Sequence, residues 1–153
     1  MEEMFVDPFI QSITEIIEQF GIRTVKVGKT SIYEEMVINM DVTAFIGIVG
    51  SMTGNVAYSF SHDTAKNLAS TMMMGMPVIE FDSMARSAIA ELANMFTGSA
   101  VTKLSGLHPG MDITPPSVVN GDNILFMLGS VKTASVVMEM DIGKMEVHIG
   151  LEL

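Results

Sequence analysis

The segment from Phe81 to Leu104, FDSMARSAIAELANMFTGSAVTKL, constrains this chain most tightly. Asp82 or Ser83 offers a short side-chain oxygen to a free backbone N–H, which suits a helix start. Good helix formers follow: Ala, Leu, Met, Glu and Arg. At about 3.6 residues per turn, Ala85, Ile89, Leu92, Ala93, Phe96 and Ala100 share one face. Ser87, Glu91, Asn94 and Gly98 share the opposite one. The first face is a core stripe that another layer must cover. The second is polar and narrow, an acid and an amide three positions apart among small residues. Taken alone, Glu–x–x–Asn on a helix is most often a solvated surface pair.

The flanking chain supplies strands. Asp7-Pro8 predicts a helix start, running to about Phe20 with Gly21 as its stop and Phe9, Ile13, Ile16, Ile17 and Phe20 as its apolar stripe. Thr30 to Asp41 alternates as a half-buried strand, and Thr43 to Val49 and Asn55 to Phe60 read as two more. Ser61 caps a predicted short helix, His62 to Met74, ended by Gly75 and Pro77. Ser105 to Pro116 reads as loop, and Val118-Val119 as a short strand entering a turn at Asn120-Gly121. Strands at Asn123 to Leu128 and Lys132 to Met140 follow. After a Gly-containing turn at Asp141–Lys144, Met145, Val147, Ile149, Leu151 and Leu153 alternate with Lys144, Glu146, His148, Gly150 and Glu152. Consecutive hairpins with interspersed helices predict an α+β fold, an antiparallel sheet with helices packed on one face. At 153 residues the chain is expected to form one domain spanning 1–153.

Shifting the chain by 76 positions places Ile13, Glu15, Ile16 and Phe20 on Ile89, Glu91, Leu92 and Phe96. A helix followed by strands thus occurs twice. Where the second helix has Asn94, the first has Glu18.

Charge and composition remove several function classes. Eight basic against eighteen acidic residues leave a formal charge of −10, which argues against nucleic acid and anionic membrane surfaces. There is no cysteine, hence no disulfide, thiolate nucleophile or Cys-based zinc site. The chain begins Met-Glu-Glu without a signal-peptide pattern, and no apolar run approaches a membrane span, so a cytoplasmic protein is expected. Sixteen methionines read chiefly as core filler, but the 72–76 run places three adjacent Met side chains where one helix face cannot take them all.

Other chemistries lack support. His62, His108 and His148 have no spaced metal-binding partners, and His148 falls on the polar face of the last strand, where it is expected to be solvated. There is no Gly-rich phosphate loop and no nucleophile elbow. Asp112 reads as a turn residue ahead of Pro115-Pro116.

Ser87-x-x-x-Glu91-x-x-Asn94 resembles the signature of the CheC/CheX/FliY family of chemotaxis phosphatases. Residues 65–75, AKNLASTMMMG, resemble the preceding helix of these proteins, and 112–116, DITPP, the segment that follows. The likeness spans essentially the whole chain, and the single Asn-containing helix points to the one-site CheX branch. It implies a CheC/CheX-like fold of two pseudo-symmetric halves, each a helix plus strands. It implies a partner, a CheY-type response regulator phosphorylated on aspartate. Asn94 would position the attacking water and Glu91 would pair with the regulator's lysine. Ser87 and Gly98 would lie at the contact. No cofactor of its own is implied, because the divalent metal, Mg, belongs to the regulator. A homodimer is expected, through free strand edges and with the terminal strands as interface. The alternative is a non-catalytic interaction module of the chemotaxis or flagellar switch apparatus.

Overall fold

The computed structural model describes residues 3–128 and 132–152. Its elements are α1 (Glu3–Gln19), β1 (Thr24–Val27), β2 (Ser31–Tyr33), β3 (Val37–Gly50), β4 (Thr53–Phe60), α2 (His62–Met72), α3 (Ser83–Leu104), β5 (Met111–Ile113), β6 (Ser117–Met127), β7 (Thr133–Met140) and β8 (Gly143–Glu152). The described strands form one antiparallel sheet in the order β1-β7-β8-β4-β3-β5, with β2 also paired to β7 and β6 to β3. The predicted α+β class holds.

The sheet order carries the repeat. Exchanging α1 with α3, β1 with β5, β2 with β6, β3 with β7 and β4 with β8 leaves it unchanged. The pseudo-two-fold axis runs between β4 and β8, which pair along their length from Thr53↔Glu152 to Phe60↔Met145.

The helices share one core with one face of the sheet. Phe9, Ile13 and Ile17 of α1, Leu68 of α2 and Ile89, Leu92 and Phe96 of α3 pack on Val42, Ala44, Ile46, Tyr58, Val136, Met138 and Val147. Every residue of the predicted α3 stripe is buried. Asp82 caps this helix, accepting from the Ala85 N–H at 2.9 Å, and Ser61 caps α2 in the same way through Thr64.

Several expectations need correction. The first helix begins ahead of Asp7-Pro8, because buried Phe5 and Val6 gain by packing one more turn. Its predicted end is right: Gly21 turns the chain at φ +80. The strands read as Thr30–Asp41 and Thr43–Val49 divide elsewhere: Ser31–Tyr33 stands alone, and β3 runs unbroken through Asp41. Asn120-Gly121 is no hairpin turn. It lies inside β6, at the irregularity where Met40 and Val42 pair with Ile124 and Asn120. There the long-range pairing to β3 overrides the local turn signal. The segment read as loop contains β5, held to the end of β3. The terminal strand β8 is flanked by both β4 and β7, so it offers no free edge for a dimer. Leu153 lies outside the described residues.

His148 is the clearest departure, being buried rather than solvated. The second sheet face carries its own small cluster of Ile38, Ala57 and Leu128, with Met36, Phe45 and Phe126 packed around it. Gly28, Lys29, Ser31, Tyr33 and Met36 border the neighbouring part of that face, where His148 lies. Its Nδ1 meets the Ser135 hydroxyl at 2.7 Å and its Nε2 meets Glu146 Oε1 at 3.1 Å. Both ring nitrogens are thereby satisfied, as burial of a polar ring demands.

Candidate functional site

The α3 helix lies between α1 and α2 with its apolar stripe on the sheet, so its polar face points away from the core. Ser87 and Glu91 are exposed, and Asn94 and Gly98 are half-buried. With a rise of about 1.5 Å per residue, Glu91 and Asn94 sit about 4.5 Å apart along the axis. The four residues singled out from the sequence therefore do form one row on one surface. Among the described residues, neither the Glu91 nor the Asn94 side chain makes a hydrogen bond or ion pair to its own chain. Their side-chain polar atoms are uncommitted within the chain.

Gly98 is a second signal. A glycine inside a helix costs roughly 0.5–1 kcal/mol relative to alanine. Here a Cβ would meet nothing within 4 Å. Packing within the chain therefore gives no reason for this glycine.

The helix is held firmly beneath the row. The Tyr58 hydroxyl of β4 meets that of Thr97 at 2.8 Å, and Thr97 donates back to the Ala93 carbonyl at 2.8 Å. The Tyr58 and Phe96 rings also pack, with centroids 5.3 Å apart. Beside the row, Met72, Met73, Ser83, Met84, Ser87, Ala88 and Glu91 line an open groove.

The corresponding surface of α1 is built differently. The shift of 76 carries Gln11, Glu15 and Glu18 onto Ser87, Glu91 and Asn94. A shallow groove lined by Asp7, Ile10, Gln11, Thr14 and Glu15 lies there. Its Glu15, however, is engaged by Lys103 of α3 at 3.0 Å, and a carboxylate, Glu18, stands where the amide would be. An ionised carboxylate cannot donate a hydrogen bond.

Sequence reasoning also missed a cluster around His62. Ligand atoms of Asp41, His62 and Asp122 lie within 4.8 Å of one another. These groups have partners already: Asp41 accepts the His62 backbone N–H at 3.1 Å, and Asp122 lies 3.5 Å from the His62 ring. The bulge opposite Asp41 brings Asp122 there, a placement that sequence spacing does not reveal. Asp112 is an exposed residue of β5, its carboxylate accepting the Ile113 N–H at 2.8 Å.

Fold and site together define a two-fold-symmetric α+β protein that presents one acid–amide row on the second of its repeated helices. A family model described as Chemotaxis phosphatase CheX matches residues 42–140, and the chain belongs to this family. It is 37% identical over 143 residues to a Thermotoga maritima protein named CheY-P phosphatase CheX, covering 93% of this chain and 88% of that one. Solved structures share the fold. A chemotaxis protein CheX from Desulfovibrio desulfuricans aligns with a TM-score of 0.87 at 23% identity, over 97% of this chain and 99% of that one. A CheC-like superfamily protein from Shewanella sp. PV-4 gives 0.89 at 24% identity, over 100% of both chains. A chain from a CheX-CheY-BeF3-Mg+2 complex of Borrelia burgdorferi gives 0.82 at 22% identity, over 97% of this chain and 98% of that one. No described helix is long and apolar enough to cross a membrane.

Proposed function

We propose that this protein accelerates hydrolysis of the aspartyl phosphate on a CheY-type response regulator, with Asn94 positioning the attacking water and Glu91 pairing with the regulator's lysine. The observation that carries this reading is the polar row on α3, where the Glu91 and Asn94 side chains have no partner in their own chain. The name of the Thermotoga maritima relative and the CheX–CheY complex support the choice of substrate.

The chemistry asks little of the helper. Phosphoryl transfer passes through a loose transition state, so positioning and charge stabilisation dominate. Holding a water in line with the breaking P–O bond removes several kcal/mol of entropic barrier. An amide suits that task, because its C=O accepts from the water while its NH2 donates. Glu91, one turn back, makes a charge-assisted bond to a lysine and sets the register of the two surfaces. Ser87 adds a contact one turn earlier, and the missing side chain at Gly98 lets the partner backbone come close. No step uses a metal of this protein; the divalent cation is the regulator's. Glu18 and the Glu15–Lys103 pair leave the α1 face without this chemistry, so one site serves each chain.

A homodimer belongs to the same proposal. β6 is the better interface strand, since β3 is its one partner among the described residues and its Leu125 and Met127 are exposed.

The test is the decay of a phosphorylated CheY-type regulator, with Mg present, alone and with sub-stoichiometric protein. Acceleration by turnover supports the reading. Binding without acceleration assigns the protein instead to the non-catalytic interaction class.

A further inference from the structure

Between α2 and α3 the chain leaves large apolar side chains uncovered. Met74 is 97% exposed, Ile79 85%, Met84 61% and Met76 58%. Scattered apolar residues on a surface are ordinary, but a contiguous set marks a contact area. Met76, Ile79 and Met84 are contiguous, and Met74 stands in the chain between Met73 and Met76. Met73, Met76, Val78, Ile79 and Met84 line one open groove, and Met73 and Met84 also line the groove that contains Ser87 and Glu91. The apolar patch therefore runs unbroken into the polar row of α3.

Met74 sharpens the point. It sits at the end of α2 with φ +60, a conformation where glycine or asparagine is the usual occupant. Its side chain reaches almost wholly into solvent, so contacts within the chain do not account for a methionine at this position.

We propose that this methionine-rich patch is the second half of the regulator-docking surface, seating an apolar, base-flanked part of the phosphorylated regulator that borders its phosphorylation pocket. The inference rests on the reading of α3 given above. Continuity identifies the occupant, because a protein that places its pocket over Glu91 and Asn94 also covers Met84 and Met73, which share the groove with Glu91. Charge agrees: Glu80 and Glu91 border the two grooves, while Lys66, which reaches the Ile79 carbonyl at 3.5 Å, is paired with Asp63, so the rim calls for basic groups around an apolar centre. Methionine side chains are flexible and adapt to a partner's surface. The patch supplies affinity, and the helix row supplies the chemistry.

The test is the double variant Ile79→Ser/Met84→Gln, whose sites are exposed and should leave the fold intact. Binding is measured by calorimetry against a CheY-type regulator loaded with BeF3 and Mg, and decay rates are measured across concentrations of the phosphorylated regulator. The proposal predicts binding at least about tenfold weaker, with the loss expressed in the half-saturating concentration rather than in the maximal rate. Asn94→Ala should show the opposite split. A double variant that binds and saturates as wild type overturns the docking surface, even if Asn94→Ala abolishes acceleration. Loss of binding in the double variant, with no acceleration by wild type, upholds the docking surface and removes the catalytic reading. A double variant that loses a dimer by light scattering but still binds the regulator assigns the patch to a second copy and overturns the proposal.

Discussion

The hydroxyls of Tyr58 and Thr97 meet at 2.8 Å between the sheet and the helix that carries Asn94. Thr97 donates onward to the Ala93 carbonyl, so Tyr58 donates to Thr97. Glu91 and Asn94 are thus presented by a helix pinned from below, and fixed presentation is what a positioning mechanism requires.

Tyr58→Phe should cost about 1 kcal/mol, one net hydrogen bond. Thr97→Val should cost more, about 1–3 kcal/mol, because it leaves a buried hydroxyl unpaired. Burial raises the Tyr58 pKa, and the bond to Thr97 only partly opposes this. The sign follows: the neutral phenol's contribution is complete below the ordinary tyrosine value of about 10 and is lost as pH rises above it toward the folded value. Denaturation at about pH 8 and about pH 11 should therefore show a smaller alkaline loss in Tyr58→Phe than in wild type.

Gly98→Ala separates stability from function. The added methyl meets nothing in its own chain, so the variant should be more stable by roughly 0.5–1 kcal/mol. Regulator binding should weaken, and Gly98→Leu should weaken it further. A Gly98→Leu variant with wild-type affinity would remove Gly98 from the contact.

The α1 surface should resist simple conversion into a second site. In an Asn94→Ala background, Glu18→Asn restores the amide on the repeated helix, yet Lys103 still holds Glu15 at 3.0 Å. The decay assay should show no recovered acceleration. Recovery would mean that the amide alone suffices and that Glu91 has no required role.

Replacing His148 tests the second sheet face. His148→Leu leaves the Ser135 hydroxyl with only the weak Met36 sulfur acceptor at 3.6 Å and takes the ring away from the half-buried Glu146 carboxylate. A loss of about 1–3 kcal/mol is expected in a denaturation experiment, with acceleration retained because the helix row lies on the other side of the sheet.

Much of this architecture is legible in the residues alone, for a physical reason. The stripe from Ala85 to Ala100 repeats with the helical period, and a helix with one apolar side has one way to lie on a sheet. The row of Ser87, Glu91, Asn94 and Gly98 follows from the same geometry. His148 was misread because alternation assigns two faces to a strand without saying that both are covered; Tyr33 and Met36, far off in sequence, line one cavity with His148 on that face. Asn120-Gly121 was misread because a turn signal is local, whereas pairing with β3 on both sides of the bulge carries β6 through it. The Asp41–His62–Asp122 cluster joins three distant segments and has no sequence spacing to betray it.

The measurement that tests the central claim most directly is the decay of a phosphorylated CheY-type regulator with wild type, Asn94→Ala and Glu91→Ala, alongside binding. The account predicts that Asn94→Ala loses about 10²-fold or more of the acceleration while binding stays within about twofold. It predicts that Glu91→Ala loses acceleration and binding together. Near wild-type acceleration by Asn94→Ala would contradict it.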